Sequence, residues 1–234
     1  MAHNALSVHL TQIEEAPADP LARKIKSALT KALINESDID PDILGMVGMS
    51  GRKYRHFINN LIRSLDQPRY LEVGCWAGST LCAAINYNGV KATGIDNWSE
   101  FGGPKDQFLA NLARYTTPGA HVNFVESDFR KVDFAALGRF NVYLFDGPHE
   151  YQDQYDGLVL ALPAMDEHFV FIVDDWNWEK VRLGTFGAIK ALDIQVSYSL
   201  EIRTSLDGTQ PAINGNQSDW HNGYFIAVLE RPKR

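Results

Sequence analysis

The stretch from Arg69 to Asn88, RYLEVGCWAGSTLCAAINYN, decides the fold. It reads as a buried strand, a tight turn and the start of a helix. Leu71–Val73 end a short apolar run after Pro68, and Gly74, Cys75, Trp76, Ala77 and Gly78 form the turn. Ser79 or Thr80 is placed to cap a helix carrying Leu81, Cys82, Ala84 and Ile85, with Asn88-Gly89 as its stop. A glycine where strand becomes turn has no Cβ to hold a ligand away, and the helix behind it presents free N–H groups. Glu72 is the unexpected residue, an acid at the end of an apolar strand and costly to bury without a partner.

The residues of the turn narrow its ligand. A phosphate-binding P-loop needs Gly-Lys-Ser/Thr, and there is no lysine here. A dinucleotide turn wants G-x-G-x-x-G, but Trp76 and Ser79 stand at the last two glycine positions. An acid such as Glu72 would sit badly beside a pyrophosphate. It suits a ligand with cationic and hydroxyl groups, and S-adenosylmethionine (SAM) carries an ammonium, a sulfonium and a ribose diol without phosphate.

Around this turn the chain alternates. Strands are predicted at 70–73, 91–95, 122–125, 140–145 and 169–173, with helices at 79–87, 104–115, 131–137 and 151–162 between them. That rhythm predicts a mostly parallel, twisted α/β sheet with helices on both faces. Two further strands, 197–204 and 223–230, joined by a polar loop at 205–222, predict an antiparallel hairpin at the sheet edge. Ahead of the sheet, 21–34 and 52–65 have helical apolar spacing, 38–51 is a glycine-containing connector, and 1–20 reads as a loose arm or short helix. The expected organisation is a helical flank at 1–66 and a ligand-binding domain at 67–234. The segment 178–192 is read as a helix whose two glycines serve close packing.

The 234 residues, 45% of them hydrophobic, suffice for one sizeable core. A formal charge of -7 argues against general nucleic-acid binding. No apolar run is long enough to span a membrane, and the N-terminus lacks the pattern of a secretory signal, so a cytoplasmic location is expected. Cys75 and Cys82 have no partner pair for zinc and read as small packing residues. A small-molecule partner is expected rather than nucleic acid or a membrane, and a homo-oligomer is compatible with the composition.

Ligands in open α/β sheets bind beyond the carboxyl ends of the strands, and here those ends carry acids. Asp96, followed by Asn97, ends the second strand at a reach that suits a ribose diol. Asp128, preceded by Ser127, follows the third and faces the place of an adenine amine. Asp146 ends the fourth in LFDGPHEY, and Asp174 and Asp175 end the fifth in FIVDDW. Any one of these alone is a turn-former or a helix cap. Five on one rim repel each other unless cations meet them. Asp146, Asp174 and Asp175, from neighbouring strands, make an all-oxygen site for a hard cation such as Mg²⁺. Trp98, Trp176, Trp178 and Trp220 either pack the sheet ends or wall a substrate slot.

With these residues in place the chain resembles the class I, Rossmann-like SAM-dependent methyltransferases, and within them the metal-dependent small-molecule O-methyltransferases. LEVGCWAGST is similar to the catechol O-methyltransferase turn, which also has a bulky aromatic where most relatives keep a middle glycine. DGPHEY followed by FVFIVDDW is similar to the macrocin and mycinamicin sugar O-methyltransferases. The resemblance implies SAM held by Glu72, Gly74, Trp76, Gly78, Ser79, Asp96, Asn97, Ser127, Asp128 and Asp146. It implies Mg²⁺ or a similar divalent cation on Asp146, Asp174 and Asp175, and a small-molecule hydroxyl, a sugar or a phenol, as methyl acceptor. His149, three residues after Asp146, would be the general base, with Asp146 beside it in the catalytic group. A nicotinamide-dependent oxidoreductase is the competing reading, since Asp96 also suits an NAD ribose, but the glycine pattern speaks against it. A non-catalytic SAM- or nucleotide-binding module, or a hydroxylating relative on the same scaffold, is the third.

Overall fold

The computed structural model describes residues 8–14 and 19–232. Its strands are β1 (His9–Glu14), β2 (Arg69–Val73), β3 (Lys91–Asp96), β4 (His121–Glu126), β5 (Phe140–Phe145), β6 (Met165–Val173), β7 (Gln195–Arg203) and β8 (Tyr224–Glu230). The helices are α1 (Pro20–Leu33), α2 (Pro41–Gly45), α3 (Arg52–Ser64), α4 (Ser79–Ile85), α5 (Lys105–Tyr115), α6 (Tyr151–Ala161) and α7 (Glu179–Ala191). All eight strands form one sheet in the order β1-β7-β8-β6-β5-β2-β3-β4. The central β4-β3-β2-β5-β6 block is parallel, and β8 pairs antiparallel with β6, β7 with β8 and β1 with β7. The α/β sheet expected from the alternation is therefore present.

The strand residues divide by their period of two. Leu71, Val73, Tyr143, Phe145, Phe171 and Val173 face α6 and α7 in one core. Tyr70, Val142, Leu144, Val170 and Ile172 face α1, α3, α4 and α5 in the other. Glu72, two residues from Tyr70, must point into the second core, and it does so at 1% exposure.

The N-terminal segment differs from its expectation. Residues 9–14 are neither arm nor helix but the strand β1, which pairs with β7 and covers the edge that the β7–β8 hairpin would otherwise present. The remainder of that stretch, 1–7 and 15–18, lies outside the described residues. The short helix α2 interrupts the 38–51 connector. Asp19 anchors the segment: it accepts the Leu21 and Ala22 amides as N-cap of α1, and its Oδ2 meets Ser197 Oγ at 2.8 Å and His168 Nε2 at 2.9 Å. The glycines of α7 act as expected, since a Cβ at Gly184 would meet the Tyr151 carbonyl oxygen at 2.3 Å.

Register places the functional residues. Val73 is level with Phe145, and Phe145 with Val173, so the next residues Gly74, Asp146 and Asp174 stand side by side. The ladder continues one step past the strands, with the Asp146 amide donating to Val73 O at 2.8 Å and the Gly74 amide to Ile95 O at 2.9 Å. The chain turns from β2 towards β3 on one side and reaches β5 on the other, so this row is the switch point of the sheet.

Gly74 holds the row together. Its φ is +88°, and a Cβ there would lie 1.8 Å from the Asp146 carbonyl oxygen. Gly74→Ala must part β2 from β5 and adopt a left-handed backbone, which together cost about 2 kcal/mol or more. A urea midpoint lowered accordingly is the expected result; a midpoint equal to the native one would show that the contact is slack.

Candidate active site

The turn between β2 and α4 is more tightly built than its sequence showed. Neither Ser79 nor Thr80 caps α4; the N-cap is Gly78 at φ +83°, and the helix ends at Ile85 with Asn86 as C-cap. A hydroxyl at 79 is instead 3.1 Å from Ser50 Oγ, linking the turn to the connector before α3. Asp96 braces the turn from β3: its Oδ2 accepts the Trp76 amide at 2.7 Å and its Oδ1 the Trp98 amide at 2.6 Å. Each oxygen keeps a second lone pair for a ligand. The indole of Trp98 donates to Trp76 O, and that of Trp76 to Phe101 O, which folds the 97–101 loop over the turn.

One cavity of about 440 Å³ runs from this turn to the acids of β5 and β6. That is within the range of small-molecule sites. Of the residues expected in the site, Gly74, Trp76, Ser79, Asp96, Asn97, Ser127, Asp128, Asp146, His149 and Asp175 line it. Glu72, Gly78 and Asp174 do not. Gly78 backs onto Phe108. Gly74 reaches the cavity, but its missing side chain makes room for Asp146 rather than for a ligand.

Glu72 lies behind the turn. It accepts the Tyr70 hydroxyl at 2.6 Å, and the Leu81 amide of α4 faces it. Burial raises its carboxyl to about 8 against the ordinary 4.5, and the Asp96 charge adds to the rise, so the side chain is largely protonated at neutral pH.

The acids divide into a buried pair and a cavity-facing group. Asp174 is 3% exposed, accepts the Asp175 amide at 2.7 Å and faces Asp146 closely enough to share a proton. Burial, then the Asp175 charge, pushes Asp174 up; burial, then Asp174 and Asp175, does the same to Asp146. A fifth of the Asp146 side chain still opens to the cavity. Beneath the pair, Tyr54 and Tyr224 stack at 3.8 Å, their hydroxyls without hydrogen-bond partners among the described residues.

Asp175 differs. Burial acts to raise it, but His149, then His221 and Asn222, outweigh that and hold it below the usual carboxylate range. Asn222 Nδ2 donates to its Oδ1 at 2.7 Å, and His149 Nε2 stands 2.5 Å from its Oδ2. The His149 contact is too misaligned for a hydrogen bond and leaves Nε2 buried and unsatisfied. On the cavity wall the cluster whose donor atoms lie mutually within 4.8 Å is Asp146, His149 and Asp175, not Asp146, Asp174 and Asp175. An orphaned imidazole nitrogen converging with two carboxylates fits a divalent cation. His149 is not spent as a helix cap, since Glu150 and Asp153 form the capping box of α6.

Trp178 packs edge-on against His149 and lines the cavity, whereas Trp176 and Trp220 are core residues and Trp98 packs on Phe108. The cavity also has residues that sequence reasoning missed: Met49, Phe101, Gln210 and His221. Met49 sits on a connector held by buried Arg55, which donates to Ser50 Oγ, Ile43 O and Met46 O. Gln210 and His221 come from the loop between β7 and β8.

The raised carboxyl of Glu72 gives a pH signature. Between about 4.5 and about 8 the folded protein keeps a proton that the unfolded chain has released, so stability falls as pH rises through that window. Glu72→Gln is expected to flatten this slope and to be more stable than the native protein at the upper end, the gain vanishing below the lower end. Parallel urea midpoints for the two proteins across the window would refute the burial of a protonated Glu72.

Residues 71–176 match the model of a methyltransferase domain family. No curated protein matches the chain in sequence. Among solved structures it is similar to one described as a "putative caffeoyl-CoA O-methyltransferase" from Staphylococcus aureus, at 15% identity over 87% of this chain and 98% of that one, with a TM-score of 0.57. It is similar to a "putative RNA methyltransferase" from Pyrococcus horikoshii at 11% identity, over 90% of this chain and 98% of that one, TM-score 0.50. It is similar also to TrmN from Thermus thermophilus at 13% identity and TM-score 0.51, covering 76% of this chain and spanning about half, 49%, of that protein. Residues 71–176 are thus similar to a methyltransferase domain, and the chain shares the fold of these solved methyltransferases.

Proposed function

We propose that the protein is a SAM-dependent O-methyltransferase that uses a divalent cation and methylates a hydroxyl of a small molecule such as a sugar or a phenol. The observation that carries this reading is the single cavity joining the β2–α4 turn to the Asp146, His149 and Asp175 cluster. Asp96 grips the ribose with its free lone pairs, and Trp76 and Phe101 close over the nucleoside. Asp128, which also holds the Arg130 amide, stands at the adenine end. The acceptor enters between Met49, Trp178 and His221 and presents its hydroxyl to the cluster.

The chemistry is a displacement. The acceptor oxygen forms a bond to the methyl carbon as the carbon–sulfur bond breaks, the electron pair goes to sulfur, and S-adenosylhomocysteine leaves. The hydroxyl proton passes to His149 Nε2, where Asp175 Oδ2, 2.5 Å away, stabilises the imidazolium. Asp146 and Asp175 would hold a cation beside His149, and its chemistry would be to polarise the hydroxyl and lower its pKa. Carboxylate ligands suit Mn²⁺ as well as Mg²⁺. Holding donor and acceptor in line supplies much of the remaining rate.

The likeness to RNA methyltransferases is one of fold. The charge of -7 and the acidic rim disfavour a polyanionic acceptor. The same acidic rim disfavours the pyrophosphate of a nicotinamide dinucleotide.

Calorimetry is expected to show SAM binding that Asp96→Ala weakens more than tenfold, through loss of charge-assisted hydrogen bonds and of the turn's brace. Unchanged affinity in that variant would remove Asp96 from the site. Methyl transfer to catechol or to a sugar should stop in EDTA and return with Mg²⁺ or Mn²⁺, while SAM stays bound; full turnover in chelator would refute the cation. His149→Ala should lower kcat about 10²- to 10⁴-fold with SAM affinity intact. If that variant instead abolishes Mn²⁺ binding, the histidine is a ligand and not the base.

A further inference from the structure

The opposite end of the sheet holds a second group of metal-ligating side chains. Asp19, His168 and Glu230 each offer one donor atom, and the three atoms lie within 4.8 Å of one another. They come from the start of α1, from β6 and from the end of β8. Along β6 the span from His168 to Asp174 is about 20 Å at the rise of a strand, so this group stands apart from the catalytic rim. It takes no part in the reaction proposed above.

The fold places each member. His168 and Glu230 are directly opposite in the β6–β8 ladder, and the period of two puts them on the face of Val170 and Val228, the face that α1 covers. The Asp19 side chain is 6% exposed, and its Oδ1 is fixed by the Leu21 and Ala22 amides. The register of β7 slips between Val196 and Tyr198, and this bulge aims Ser197 at Asp19, where its Oγ donates to Oδ2 at 2.8 Å. Neutral donors therefore orient both oxygens of Asp19, which is the support that outer partners give a metal-ligating carboxylate.

The separations fit an ion. His168 Nε2 is 2.9 Å from Asp19 Oδ2. An ion bonded to both at about 2.1 Å would hold them about 3.0 to 3.4 Å apart across the bond angles of six- and four-coordinate sites, an opening of a few tenths of an ångström. Glu230 is opposite His168 in the ladder, yet the ring is turned to Asp19, and the Glu230 carboxylate forms no ion pair among the described residues. The guanidinium of Arg231, next in sequence, donates to Met165 O. One buried and one half-buried carboxylate thus share a single imidazole. An imidazolium can neutralise one of them; a divalent cation neutralises both.

We propose that Asp19, His168 and Glu230 bind a divalent ion of the zinc class, which clamps the start of α1 to β6 and β8, with water completing its shell. Nε2 gives its proton to solvent and its lone pair to the ion. One imidazole nitrogen with two carboxylate oxygens suits Zn²⁺, where Mg²⁺ prefers oxygen alone. The site is structural. It braces α1 and, through the packing of α1 on α3, the Arg55 side chain that holds the connector before α3.

The probe is Zn²⁺ alone, added to the full-length protein. Anomalous diffraction at the zinc edge should place an ion among Asp19, His168 and Glu230, resolved from any ion at the catalytic end. In solution the ¹⁵N signals of the His168 ring should move as Zn²⁺ is added and return in EDTA, which reads this site without the other. The affinity read from that signal should fall by at least about 10- to 100-fold in Glu230→Gln, and by about tenfold in Ser197→Ala, which removes an outer partner. Both variants should keep the native urea midpoint in EDTA and bind SAM as the native protein does. No ion at the three residues, a His168 signal that does not move, or an affinity unchanged in Glu230→Gln would each overturn the proposal, the last by showing Zn²⁺ held by the imidazole alone.

Discussion

The site depends on the contact between two strand ends. β2 and β5 run parallel and in register to their last residues, and where they stop the Asp146 carbonyl fills the space in which Gly74 would carry a side chain. That approach sets the turn between β2 and α4 against Asp146, so that one cavity is lined by both. The register of β5 and β6 then adds Asp174, and the left-handed φ of Asp175, +56°, turns the next carboxylate towards His149.

Electrostatics follows from that geometry. A row of parallel strands brings the acids that follow them within a few ångströms of each other, and the protein distributes the resulting strain. Glu72 and the Asp146–Asp174 pair are driven towards protonation by burial and mutual repulsion. Asp175 alone is held ionised, by His149, His221 and Asn222. Burial and mutual repulsion thus raise one group of acids, while Asp175 is held low beside an imidazole on the cavity wall. A cationic methyl donor and a divalent ion are the ligands such a wall favours.

Much of this was legible in the sequence. The alternation after Tyr70 implied the parallel sheet, and acids after successive strands implied a rim, because residues that end parallel strands in register must be neighbours. The partition of those acids was not legible. Whether Glu72 met a ligand or a core partner depended on Tyr70 and on α4. Whether Asp174 or His149 joined the cavity group depended on a backbone angle at Asp175 that no pattern announces. β1 was missed because HLTQIE carries little apolar alternation, its role being to cover an edge. Met49, Gln210 and His221 came from loops, and their positions are set by long-range hydrogen bonds such as those of Arg55 and Asn177.

The central claim is that the nucleoside turn and the acid–histidine cluster are two ends of one reaction chamber. A crystal structure with S-adenosylhomocysteine and Mn²⁺ bound tests it directly. The account predicts the ribose hydroxyls on Asp96, the sulfur directed along the cavity towards Asp146 and His149, and the anomalous signal of the ion among Asp146, His149 and Asp175. A nucleoside seated away from the Gly74–Gly78 turn, or seated there with its sulfur turned from the cluster and the ion elsewhere, would contradict it.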